Sequence, residues 1–162
     1  MASNSTNGIP THFEKKIQLL LEKTKKKVHT CSDIINKYNI YNVNHIIVYN
    51  NDKYFICFND NWSNNSISTD GLNNFITSVN IIAGMKQMYG IGIIISNKSF
   101  NYHTKMILET ENNKYDMGTG ITTYYSISDL SEEKLLNKVQ TFLHSHNIWM
   151  YDEDGDCIMG II

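Results

Sequence analysis

Arginine is absent from this chain of 162 residues, and its 14 strongly basic side chains are all lysines. Arginine is the side chain that forks bidentately onto carboxylates, phosphates and guanine edges, so its absence closes arginine-finger chemistry and arginine-based base readout. Proline occurs once and cysteine three times. Cys31, Cys57 and Cys157 are widely spaced, odd in number and without a CxxC pair, which speaks against a disulfide framework or zinc knuckle and for a reducing compartment. No apolar stretch approaches the roughly 20 residues of a membrane span. The opening Met1-Ala2-Ser3-Asn4-Ser5-Thr6-Asn7-Gly8 lacks the basic start and apolar run of a signal peptide. An excess of positive charge is missing too. The 16 acidic residues leave a net charge of −2, so any nucleic-acid contact has to be local rather than the global attraction of a packaging protein. These absences predict a soluble intracellular protein, cytoplasmic or nuclear, with no membrane partner.

What the chain does have is asparagine and isoleucine, 21 and 23 residues respectively. Together with lysine in place of arginine, this bias points to an AT-rich genome, such as that of a large DNA virus or an AT-rich protist, and so to a virion or viral factory as further possible locations. The length suits one domain with a hydrophobic core of its own. Residues 1–10 read as a flexible polar arm and 11–162 as a single domain.

Along that domain, Thr11 and Glu14 stand in capping-box spacing. Phe13, Ile17, Leu20, Leu21, Thr24 and Val28 then draw one apolar stripe, which predicts a helix over 12–29. Ser32 or Asp33 is expected to cap a short second helix through Tyr38. His45–Tyr49 and Lys53–Phe58, separated by Asn50-Asn51-Asp52, read as a hairpin of strands apolar at nearly every position, as in a sheet covered on both faces. A polar loop leads to an amphipathic helix carrying Leu72, Phe75, Ile76, Val79, Ile82 and Ala83, with Asp70 in its first turn. Tyr89–Ile95 follows as a buried strand, parallel to its neighbour across the helical crossover. The expected order is α-β-β-α-β. A short helix over 100–110, weak strands over 114–125, a helix opening at Ser131 and a C-terminal segment docked on the body complete it. The fold class is α/β (α+β), a mixed sheet of four to five strands flanked by helices.

Lys53-Tyr54-Phe55-Ile56-Cys57-Phe58-Asn59 through Trp62-Ser63, the helix from Leu72 to Val79, and Tyr89-Gly90-Ile91-Gly92-Ile93-Ile94-Ile95-Ser96 followed by Phe100 resemble the Mrr-like branch of the restriction endonuclease-like, PD-(D/E)XK, superfamily. The resemblance covers about a third of the chain, plus a compatible helix start at His12-Phe13-Glu14. It implies Mg²⁺-dependent phosphodiester hydrolysis by an Asp, a Glu or Gln, and a Lys at one sheet edge. Carboxylates hold the hard metal, the metal activates water, and Lys adds positive charge at the attacking oxygen. Residue by residue, the Asp falls on Asn44 or His45, the Glu or Gln on Cys57 and the Lys on Asn59. No catalytic residue is intact, although Cys57 and Asn59 share a strand face by the period of two. Asp60, one residue on and facing the other way, is the possible replacement carboxylate, with Asp70, Glu109 and His45 as further members of a migrated site.

The resemblance therefore predicts a catalytically inactive nuclease-like domain with a binding, assembly or structural role and no cofactor, Mg²⁺ entering only if the site is active. The alternatives are a Mg²⁺-dependent DNA endonuclease with a migrated site and a weak DNA-binding module using Lys23, Lys25, Lys26, Lys27, Lys98 and Lys105. The lysine run at 23–27 also suits the negative end of a helix dipole. His144-Ser145-His146 ahead of Asp152, Glu153, Asp154 and Asp156 lacks EF-hand spacing and reads as a polar turn rather than a metal site. Gly90 and Gly92 lie inside a strand, where they allow close packing, with a helix as the expected neighbour. Tyr102, Tyr124, Tyr125, Trp62 and Trp149 are expected to be partly exposed and to favour a protein partner or a homo-oligomer, with nucleic acid also possible.

Overall fold

The computed structural model describes residues 12–61 and 67–160, so the N-terminal arm, the Thr11 cap and Trp62 lie outside the described residues. The elements run α1 (His12–Glu22), β1 (Lys27–Thr30), α2 (Cys31–Tyr38), β2 (His45–Tyr49), β3 (Tyr54–Asn61), α3 (Thr69–Lys86), β4 (Tyr89–Ser96), α4 (Tyr102–Asp116), β5 (Thr122–Ser128), α5 (Glu132–Ser145), β6 (Met150–Tyr151) and β7 (Cys157–Ile158). The five long strands form one mixed sheet in the order β1-β2-β3-β4-β5, and β6 pairs with β7 in a small hairpin. β1–β2 and β2–β3 are antiparallel, while β3–β4 and β4–β5 are parallel. The fold is α/β with helices on both faces of the sheet. No described helix is long and apolar enough to cross a membrane.

Connectivity explains the layering. The crossovers through α3 and α4 both step the same way across the sheet, and a right-handed preference puts both helices on one face. There Leu72, Phe75, Val79, Ile82 and Leu108 meet Ile46, Val48, Phe55, Cys57, Ile94 and Tyr124. α5 returns over the opposite face beside α1, where Phe13, Ile17, Leu21, Leu135, Val139 and Leu143 cover Ile47, Ile56, Phe58, Ile93 and Ile95. Both faces are buried, and this is why the strands carry nearly continuous apolar runs.

Three boundaries differ from the sequence expectation. α1 stops at Glu22 rather than reaching 29. Thr24 turns its backbone N–H onto the Leu21 carbonyl, Lys25 takes a left-handed φ of 58°, and Lys27–Thr30 then pairs with β2 as an edge strand. Tertiary pairing of β-branched Val28 and Thr30 overrides the helical spacing. α2 is capped by Thr30 rather than Ser32 or Asp33, with the Asp33 carboxylate accepting from the Thr30 N–H and hydroxyl at 3.1 Å each. α4 runs on to Asp116, so the strand expected from 114 begins at Thr122. Asn101 caps it by accepting from the Thr104 N–H, and Lys114 pairs with Glu111 at 2.8 Å in its last turns. The hairpin turn Asn50-Asn51-Asp52 is left-handed at all three residues, the region that Asn and Asp tolerate best after glycine.

Gly90 makes room for an aromatic ring of the neighbouring strand, and Gly92 for a ring of β5 and, as expected of a helix neighbour, one of α3. A Cβ at Gly90 would sit 2.5 Å from the Phe55 ring, and one at Gly92 would sit 2.7 Å from the Tyr124 ring and 3.0 Å from Phe75. Tyr124 is thus a core residue, contrary to the exposure expected of it. It is 1% exposed, and the Asn112 side chain pairs with both its backbone N–H and C=O, at 2.7 and 2.8 Å. That amide stands where a further strand would bond, closing this stretch of the β5 edge.

Candidate functional site

β2 begins and β3 ends at one place in the sheet, and the residues singled out from the sequence meet there. The register pairs His45 with Phe58 and Ile46 with Cys57, and Asn44, just before β2, also turns its N–H onto the Phe58 carbonyl. Residues opposite one another in an antiparallel pair share a face. Cys57 and, two residues on, Asn59 therefore face the α3 side, where Cys57 and Ile46 join the core. His45 and Asp60 face the α1 side.

Asn44, Cys57 and Asn59 are all committed to internal contacts. Asn44 is fully buried; its N–H donates to the Phe58 carbonyl at 2.8 Å and its Oδ1 accepts from the Asp60 N–H at 2.7 Å. Asn59 donates from Nδ2 to the Asn42 carbonyl at 2.6 Å. Burial pushes the Cys57 thiol far above its usual range, so it carries no thiolate at neutral pH. Two neutral amides and a buried thiol do not fit Mg²⁺, which takes hard, anionic oxygen ligands. Among the described residues, no group of three or more His, Cys, Asp and Glu side chains is placed to hold a metal ion.

The α1 side is different. Glu14, His45 and Asp60 are all buried, at 0, 2 and 2% exposure. Burial alone pushes His45 down to about 4, and its Nδ1 has no hydrogen-bond partner. Burial first, and the Glu14 carboxylate second, push the Cys31 thiol up to about 11. Glu14 has a larger place here than the helix-capping role read from its spacing. A sequence signal for this exists, since it stands three residues before Ile17 and seven before Leu21, inside the apolar stripe. Asp70 and Glu109 do not join the group. Both are exposed, on α3 and α4 across the sheet.

The lysines proposed for nucleic acid form no single surface. Lys23 is half-buried against Leu19, Leu20, Leu136 and Gln140 between α1 and α5, and its carbonyl accepts from the Tyr151 N–H at 2.8 Å. Lys25 and Lys26 are exposed in the turn before β1, and Lys27 opens β1. Lys98 and Lys105 lie beyond β4, toward the opposite edge of the sheet, and Lys105 borders a groove of about 470 Å³ with Lys138 and Phe142. Near the C-terminus, His144 stacks on Trp149 at 4.5 Å and His146 on Phe142 at 4.3 Å. Asp152 Oδ1 accepts from the N–H groups of Asp154 and Asp156, forming the turn between β6 and β7. Tyr102 and Tyr125 are exposed and Trp149 is half-buried.

Comparison with protein-family models, with curated proteins and with solved structures finds no match to this chain. Functional inference therefore rests on the residues themselves.

Proposed function

We propose that the chain is a nuclease-like domain without phosphodiesterase activity, serving binding or assembly as a homo-oligomer or as a subunit of a nucleic-acid-associated complex. The observation that carries this reading is the 2.7 Å hydrogen bond from the Asp60 N–H to Asn44 Oδ1. At the position where the resemblance calls for a metal-binding Asp, a neutral side chain is spent on holding the end of β3. The antiparallel hairpin, the α3 crossover and the parallel β4 support the same reading, since the resemblance implies that arrangement. An origin in a large DNA virus or an AT-rich protist, with a virion or viral-factory location, belongs to this proposal on composition alone. The test is supercoiled plasmid incubated with Mg²⁺ or Mn²⁺. Unchanged plasmid is expected, and metal-dependent nicking that disappears in Asp60→Ala overturns the reading. Light scattering separates a homo-oligomer from a monomer that awaits a different partner.

A second reading is an endonuclease with a relocated site. Glu14, His45 and Asp60 are each buried, and buried titratable groups occur at functional sites more often than elsewhere, but no three such groups among the described residues are placed to hold a metal ion. The same plasmid assay decides between the two.

A further inference from the structure

Lysines from three separate elements lie on one side of the β1 edge, two of them over the ring of Tyr38. Lys27 and His29 pair with Val48 and Ile46, so both face the α2 and α3 side of the sheet. On that side the Lys37 ammonium, from the last turn of α2, stands 5.5 Å from the Tyr38 ring centroid. The Lys86 ammonium, from the last turn of α3, stands 5.8 Å from the same centroid. Two like charges over one ring repel, and none of Lys27, Lys37 and Lys86 has an ion-pair partner among the described residues. The Tyr38 hydroxyl is buried without a hydrogen-bond partner.

His29 reports the local potential. Burial lowers its pKa most, and Lys86, Lys27 and Lys37 lower it further, against one raising contribution from Asp33. The patch is thus electropositive on a chain of net charge −2. Helix C-termini and the ring account for lysines near Tyr38 singly, but they leave three cations with one carboxylate among them.

We propose that Lys27, Lys37 and Lys86 form a binding site for the phosphodiester backbone of nucleic acid. Lysine acts as a point charge on phosphate, whereas bidentate carboxylate recognition is the work of arginine, which this chain lacks. Base readout needs side chains directed at base edges, so the site takes backbone without sequence preference. This deepens the binding role proposed above and rests on it, but it does not depend on whether the strand-end site is catalytic.

The experiment is fluorescence anisotropy of a labelled 20-mer DNA duplex, titrated with the full chain over a range of salt concentrations. Three lysine contacts predict a log–log salt slope of about −2.7, and Lys37→Gln with Lys86→Gln lowers the slope to about −0.9 and affinity at 50 mM salt by on the order of 100-fold. Lys114→Gln with Lys134→Gln, exposed on α4 and α5 and outside the patch, leaves binding unchanged. No binding by the wild type at low salt, equal loss in the two double variants, or equal competition by polyglutamate of matched charge each overturns the proposal. The plasmid assay is scored separately, so inactivity with intact binding, or cleavage without it, distinguishes failure of one proposal from failure of the other. The lysines replaced are at the surface, and circular dichroism confirms that the variants fold.

Discussion

The two ends of β2, about 13 Å apart along the strand, have opposite electrostatics. At Asn44 the position is fully buried and neutral, with its amide tied to β3. At Val48 the neighbouring strand is the β1 edge, and Lys27 stands in solvent with Lys37 and Lys86 close by. The contrast follows from the sheet order. An interior strand end covered by a helix cannot hold an unpaired charge without a desolvation penalty of several kcal/mol, so amides there make a stable substitute for charged groups. An edge strand lets lysine keep its ammonium hydrated while its stem lies on the protein. Charge at one end is therefore set independently of charge at the other.

The largest expected effect comes from returning charge to the buried end. Asn44→Asp should destabilise the fold by about 4 kcal/mol at pH 8, because the new carboxylate is dehydrated and has no cation opposite it. The loss should shrink at pH 5 as burial lets the carboxyl take up a proton. Urea unfolding at the two pH values measures this, and adding Asn59→Lys at the same strand end should restore part of the loss. Equal stability of Asn44→Asp and the parent at pH 8 would show that this end is open to water and remove the contrast.

His45 supplies the next effect. Above its ordinary value of 6.5 the ring is neutral in both folded and unfolded chains. Between 6.5 and about 4 the unfolded chain binds a proton that the folded chain refuses. Folding stability should then fall by up to ~3 kcal/mol as pH drops through that window. Carboxylates titrate in the lower part of the same range, so the informative quantity is the difference from His45→Gln, whose unfolding profile should be flatter.

At the lysine end the effect on stability is smallest. Lys37→Gln or Lys86→Gln should change it by less than about 0.5 kcal/mol, as for other surface charges, while the His29 pKa rises because a repelling cation is gone. Proton NMR titration of the His29 ring measures the rise, and an unmoved ring would place these lysines too far away to share one anion.

Much of the fold could be read from residue patterns, for reasons that individual elements make plain. The β2–β3 hairpin, α3 and β4 are long apolar or amphipathic segments whose period matches their burial, and α5 opens on Ser131 with its side chain accepting from the Lys134 N–H as its spacing requires. β1 could not be read this way. Val28 continues the apolar stripe of α1, and only pairing with β2 makes Lys27–Thr30 a strand. Nor could the burial of Tyr124, which depends on the glycine at 92 opening room on β4 and on Asn112 reaching the strand from α4. At the candidate site, the shared face of Cys57 and Asn59 and the opposite direction of Asp60 follow from the period of two. The burial of Glu14 and His45 on the α1 side follows from packing between elements distant in the chain.

Amino-acid type by itself determined that no arginine contacts a ligand, that the three positions pointed out by the nuclease resemblance are neutral, and that strands and helices alternate in an α/β order. Tertiary structure decided which of the lysines stand together. Lys23 to Lys27 are neighbours in the chain but scatter where α1 gives way to β1, whereas Lys37 and Lys86 are distant in the chain and meet over Tyr38, with Lys27 beside them at His29. The physical reason is that electrostatic potential depends on distances through space, and the β1 edge brings three elements to one surface that local sequence order does not encode.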